Sequence, residues 1–200
     1  ALKLLADHLL ALTGGDLTQP AAVRPTFETV VFRRVTLGPS RHERPRFADC
    51  RFEACDLSGV TWDEARFRRV EFVGCRLLGA QLLAGEFEDV VFKDCILERA
   101  VFSTARFKAA RFEACQLVEA AFEGAELGGV VFLDCDLTQA DLRQARLEGA
   151  DLRGSRLGGA QVGAVELKGA VVDAAQAVQI AALIGLVVRE KGEEDAPEIR

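Results

Sequence analysis

The chain contains no methionine and no tyrosine, and it has one tryptophan, two histidines and five prolines in 200 residues. With His8 and His42 as the only imidazoles, general acid–base chemistry has almost no candidates. No run of eighteen uncharged apolar residues is present, so no membrane-spanning helix is expected. Glycines do not cluster into a phosphate-cradling loop. The net charge of −6 disfavours direct nucleic-acid binding. These absences point away from an enzyme, a cofactor, a metal or a membrane, and toward a protein that works through its surface. The missing methionine implies a natural start upstream of Ala1.

What is present is a period of five. Every fifth residue from Phe27 to Val172 is a large apolar side chain, thirty positions with the single exception of His42. All thirteen phenylalanines and Trp62 occupy these positions. A small residue lies two places before each, as in Ala140-Asp141-Leu142-Arg143-Gln144. Five matches neither the 3.6 of an α-helix nor the 2.0 of an ordinary strand. A second period of twenty groups like with like. Phe32, Phe52, Phe72, Phe92, Phe112 and Phe132 form one column, and Leu37 to Leu157 another. Four units therefore make one coil, with coils stacked at sheet spacing, about 4.8 Å. This is an all-β solenoid with its large side chains inside. Glycines such as Gly59, Gly79 and Gly129 fall at the last position of a unit, where a turn wants them.

Cys50, Cys55, Cys75, Cys95, Cys115 and Cys135 all fall at the small inward position, the last five in one column. There they act as small buried hydrophobes rather than as disulfides or zinc ligands. Reduced thiols fit a cytoplasmic location.

The flanks break the pattern. Residues 1–14 read as a cap helix stopped by Gly14-Gly15, because Asp7 and His8 interrupt what would otherwise look like a signal peptide. Residues 1–24 then comprise this helix and a connector, and 25–172 the solenoid. The stretch 38–45 puts His42 at a core position between two prolines, and a plain outward bulge is preferred over a functional loop. After Val172, Asp173 is a good N-cap for a helix over Ala174–Ile184, and Gly185 stops it. That helix is apolar nearly all round, which suggests that a second chain covers it. Residues 173–188 form this helix and a short extended segment, and 189–200 a charged mobile tail.

The thirty in-register units resemble the pentapeptide-repeat family, which implies a right-handed quadrilateral β-helix. The stretch Gly169-Ala170-Val171-Val172-Asp173-Ala174-Ala175-Gln176-Ala177, with Gly185-Leu186-Val187-Val188, is similar to the end of the Mfp/Qnr-type fluoroquinolone-resistance proteins. That resemblance implies a homodimer joined at the C-terminal end, with Val178, Ala181, Ala182, Gly185 and Leu186 at the interface. It also implies binding to DNA gyrase and possibly topoisomerase IV by imitation of duplex DNA, with protection or inhibition as the result. The alternative is a structural or scaffolding pentapeptide-repeat protein with an unrelated partner.

The charge distribution bears on that choice. Residues 41–76 hold eight arginines against seven acids, whereas residues 86–141 hold twelve acids against five bases. One column alternates Arg66, Glu86, Arg106, Glu126, Arg146, Glu166, a self-neutralising ladder. The corner between the Phe32 and Leu37 columns carries Asp94, Glu98, Asp134 and Asp136 with few bases nearby, beside apolar Val91, Ile96, Val118, Val131 and Leu133. Asp89, Asp94, Glu98, Glu113, Asp134 and Asp136 are the expected partner-binding residues, facing solvent as a mixed acidic and apolar strip. The apolar members have a plainer reading too, since Val and Ile simply suit strands.

Overall fold

The computed structural model describes residues 24–189 in full, and the backbone of residues 2–5 and 9–16. Among the described residues ten strands and one helix follow one another: β1 (Leu2–Leu5), β2 (Leu9–Asp16), β3 (Thr26–Glu28), β4 (Val30–Thr36), β5 (Arg46–Glu53), β6 (Arg66–Val73), β7 (Glu86–Lys93), β8 (Arg106–Lys108), β9 (Arg111–Glu113), β10 (Val131–Leu133) and α1 (Ala174–Leu183). Apart from β1, the strands pair in parallel at a register of twenty, as in Phe52↔Phe72 and Phe72↔Phe92. Isolated bridges such as Ile96↔Gln116 and Val101↔Ala121 carry the same register around the other sides. The coil is thus a four-sided parallel β-solenoid.

The corners explain the unit. Apart from Pro39 and Ala164, the residues at its last position along the solenoid have positive φ, for example Arg34 at 51°, Asp94 at 52° and Asp134 at 52°. One left-handed residue in five turns the chain through a corner. Between corners the backbone bonds to both neighbouring coils: the Gln81 amide donates to Val60 O at 2.7 Å and the Leu82 amide to Val101 O at 2.8 Å. No regular strand longer than eight residues is needed, because pairing runs between coils.

Inside, like stacks on like. The rings of Phe32, Phe52, Phe72, Phe92, Phe112 and Phe132 follow at 4.5–4.9 Å between centroids, within 7° of parallel. A second column, Phe27 to Phe107, meets the first edge-on, as in Phe47 against Phe52 at 70°. Stacked and T-shaped contacts both favour aromatic packing. All six cysteines are free and buried. Those at 55, 75, 95, 115 and 135 each donate to the carbonyl of the phenylalanine 23 residues earlier, at 3.3–3.4 Å. Burial pushes the Cys50 thiol above its ordinary pKa.

The N-terminal cap helix expected over 1–14 is replaced by strands. β2 pairs in parallel with β4, Leu10↔Val30 and Leu12↔Phe32, and β1 returns antiparallel on β2. The segment keeps the register of twenty, and an extended chain there satisfies the otherwise unpaired amides and carbonyls of β4, which a helix could not. The cap is therefore made by a hairpin. The connector's residues 17–23 and the tail's 190–200 lie outside the described residues.

Around 38–45 the coil is kept. Arg41 bridges Thr61, the His42 amide donates to Thr61 O at 3.1 Å, and Arg46 returns to register beside Arg66. His42 lies half-buried against Trp62, whose indole donates to Ser40 Oγ at 3.2 Å. Gly38 lies so close to the next coil that a Cβ would sit 1.9 Å from Ser58 O, so only glycine fits.

At the other end the regular coil breaks at Gly163. Val165, at an inward position by sequence, is 85% exposed, and Glu166 turns to accept the amides of Gly163 and Gln144 at 3.0 Å each. Glu166 therefore leaves the alternating ladder, because those amides hold its carboxylate more directly than Arg146 would. The chain rejoins the solenoid at Val171, opposite Asp151, and enters α1. Asp173 caps α1 as expected, and Gln176 completes a capping box. Gln176 is buried and also donates to Leu152 O and to Ser155 O (2.7 Å), which ties the helix to the last coil.

Candidate partner-binding surface

Two surfaces stand out, the acidic corner and the C-terminal end. Asp94 and Asp134 share a corner column, separated by Ala114 and followed by Gly154. Two coils separate the two carboxylates, roughly 10 Å at sheet spacing. Asp94 and Asp134 are exposed and Glu98 is half-buried. None of the three forms an ion pair among the described residues. Asp89 is also exposed and unpaired among the described residues, but it lies at the opposite edge of the same side, one five-residue unit away.

Glu113 and Asp136 differ from expectation. Glu113 lies 3.0 Å from Arg111 and 4.0 Å from Lys93. The Asp136 side chain is only 17% exposed, is held by Arg156 at 2.6 Å, and accepts the Thr138 amide at 3.1 Å. Burial works to raise the Asp136 carboxyl, but the Thr138 bonds and Arg156 outweigh it and leave its pKa below the ordinary value. These two acids are neutralised because their partners sit on the next coil or two residues along, so "few bases nearby" holds only for Asp94, Glu98 and Asp134. Beside them Val91, Ile96, Val118 and Val131 are half-buried between columns, and only Leu133 is exposed, at 42%.

The ladder behaves as its sequence implies over most of its length. Arg66 meets Glu86 at 3.1 Å, and Glu126 lies 3.7 Å from Arg106 and 4.0 Å from Arg146. Corresponding pairs join Arg69 to Asp49, Lys108 to Glu88 and Arg99 to Glu119. Each is surface-exposed and stabilises little, about 0–1 kcal/mol. Their effect is to cancel charge.

Among the described residues, the C-terminal end leaves the core uncovered on one side. Leu167, Ala170 and Val172 from the last coil, with Ile180, Ala181, Ile184 and Leu186, line an apolar groove of about 280 Å³. The structure brings Ala181 and Leu186 into this groove. Val178 (54% exposed) and Ala182 lie on the outer face of α1, and Gly185 supplies the left-handed stop at φ 85°. Sequence reasoning missed Ile180 and Ile184 as groove residues, although their spacing of four gave the signal. Among the described residues no helix is long and apolar enough to cross a membrane.

The coil, its corners and its filled interior define a four-sided solenoid whose chemistry is confined to surface columns. It belongs to the pentapeptide-repeat family: a model of the pentapeptide repeat region matches residues 45–122, and one of eight pentapeptide repeats matches residues 115–154, together more than half of the chain. Solved structures with similar architecture include a trypsin-treated form of QnrB1, a plasmid-mediated fluoroquinolone resistance protein. It is 20% identical, with 91% of this chain and all of that one covered at a TM-score of 0.38. HetL of Nostoc sp. strain PCC 7120, involved in heterocyst differentiation regulation, is 21% identical over 80% of each chain, with a TM-score of 0.39. A pentapeptide repeat protein of the Arabidopsis thaliana thylakoid lumen is 20% identical, covering 64% of this chain and 72% of its own, at 0.34. No curated protein sequence matches the chain.

Proposed function

We propose that the protein is a homodimeric DNA mimic that binds DNA gyrase, and topoisomerase IV by the same surface, and shields it from quinolone-type or other gyrase poisons. The observation that carries this reading is the set of carboxylates Asp94, Glu98 and Asp134, which form no ion pair among the described residues on a scaffold where many surface charges are paired across coils. A basic DNA-binding saddle attracts negative charge that has no partner within its own protein. The C-terminal groove supports a second copy as its cover, because residues 169–177 and 185–188 resemble the dimerising end of the Mfp/Qnr-type proteins. In such a dimer the acidic corners of both protomers would extend one rod.

A scaffold with an unrelated partner is the second reading, favoured by one specific observation. Asp89, Asp94 and Asp134 all occupy left-handed corners, which aspartate tolerates better than most residues. Backbone geometry alone would then account for them. Gyrase supercoiling followed with increasing protein, with and without a fluoroquinolone, separates the two. The mimic alters supercoiling or drug-induced cleavage in proportion to its concentration, whereas the scaffold leaves both unchanged.

A further inference from the structure

The alternating ladder places like charges together at its N-terminal end. Its rungs 66/86, 106/126 and 126/146 set opposite charges together, but Arg46 stands directly beside Arg66. Like charges facing each other across strands destabilise the pair. The adjoining corner column repeats the fault at the same height, where Arg24 precedes Arg44 by one coil of twenty residues. Arg44 and Arg66 are each held by an acid of the following coil, Glu64 at 2.9 Å and Glu86 at 3.1 Å. Arg24 and Arg46 form no ion pair among the described residues, and both are exposed. These four arginines, with Arg106 beyond them, line a concavity of about 600 Å³ floored in part by the small side chain of Ala84. Among the described residues that line it, only Glu64 and Glu86 carry negative charge.

We infer that this groove binds a phosphate chain, either free oligophosphate or the polyphosphate tail of a nucleotide. Its volume falls within the roughly 300–1,000 Å³ of small-ligand sites. Guanidinium forks match phosphoryl oxygens bidentately, which a row of lysines would not do. Glu64 and Glu86, which line the same groove, hold Arg44 and Arg66 in place, so those two are preset while Arg24 and Arg46 remain open for an external anion. The bound chain would supply the negative charge that the ladder lacks at this one rung. This site lies on the basic half of the rod, on a different corner from Asp94 and Asp134, and it does not depend on a topoisomerase partner.

Titration calorimetry with tripolyphosphate and, separately, with ATP tests the inference. The full chain should bind with one site per protomer, and binding should weaken as salt rises. Replacing Arg24 and Arg46 together by Ala should lower affinity about tenfold or more without lowering the melting temperature, since both side chains are exposed and Arg46 faces a like charge. Arg146→Ala, an arginine of the same column whose neighbour Glu126 already faces it, should leave affinity unchanged. Tighter binding of ATP would identify a nucleotide as the ligand, and equal or tighter binding of tripolyphosphate the chain alone. No binding of either at millimolar concentration, or equal binding by the double variant and the parent, would overturn the inference.

Discussion

Inside and outside, the same coil follows opposite rules. Within the solenoid whole columns repeat their own kind, Phe on Phe and Cys on Cys, at one-coil spacing. On the surface the favoured neighbour is the opposite kind, Arg on Glu or Lys on Glu. Apolar packing rewards identical shapes in register, while charge rewards alternation. A surface position that breaks alternation therefore stands out against its own scaffold. Asp94 and Asp134 have only Gly74, Ala114 and Gly154 as column neighbours and so lack an opposite charge, while Arg46 faces the like charge of Arg66 and Arg24 precedes Arg44 in its own column.

The strongest way to break the comparison is to remove an interior repeat. Phe112 is fully buried between Phe92 at 4.8 Å and Phe132 at 4.9 Å. Phe112→Ala should cost about 3–5 kcal/mol, seen as a lower denaturant midpoint, and should loosen the neighbouring coils. An unchanged midpoint would mean that the stacked column does not hold the fold.

The next test falls where inside becomes outside. Ala181→Arg places a charge in the groove at the end of the core, and a dimer that covers this groove could not bury it unpaired. Sedimentation should then give monomers where the parent gives dimers. A dimer retained by the variant would place the interface elsewhere.

The smallest effect concerns pH. Hydrogen bonds from the Gln176 and Gly154 amides hold the Asp173 carboxyl below its ordinary pKa, and the Arg143 guanidinium does the same for Asp141. A folded-state pKa below the unfolded one gives stability that is present above the unfolded value, about 3.9, and is lost as pH falls through the folded value. The melting temperature should hold from neutral pH to about 5 and decline below about 4. Asp173→Asn keeps a capping oxygen while removing one titrating group, so its decline should be shallower.

The interior was legible from the sequence because burial of a large residue every fifth place leaves no freedom in reading it. The twenty-residue register also foretells most surface pairs, Arg66 with Glu86 among them. Applied to every acid it would have shown that Asp136 meets Arg156 and Glu113 meets Lys93, both twenty residues away. The N-terminus was misread for a related reason. Its Leu and Ala content suits a helix, but Leu10, Leu12 and Gly15 stand twenty residues before Val30, Phe32 and Val35, and inter-coil pairing overrides local propensity. Val165 could not be foreseen. Its position in the repeat is inward, and only the turn that Glu166 closes over Gly163 sends it to solvent.

Under the proposed function, charge without a partner on its own coil stack is what would engage the topoisomerase. Gyrase affinity measured at low salt for Asp94→Asn/Glu98→Gln/Asp134→Asn, beside Glu126→Gln from the neutralised ladder, tests it most directly. The triple variant should fold as the parent does and bind more weakly, by about tenfold or more, with a flatter salt dependence. Glu126→Gln should bind like the parent, because Arg106 and Arg146 already cancel its charge. Equal affinity of the triple variant and the parent would contradict the account.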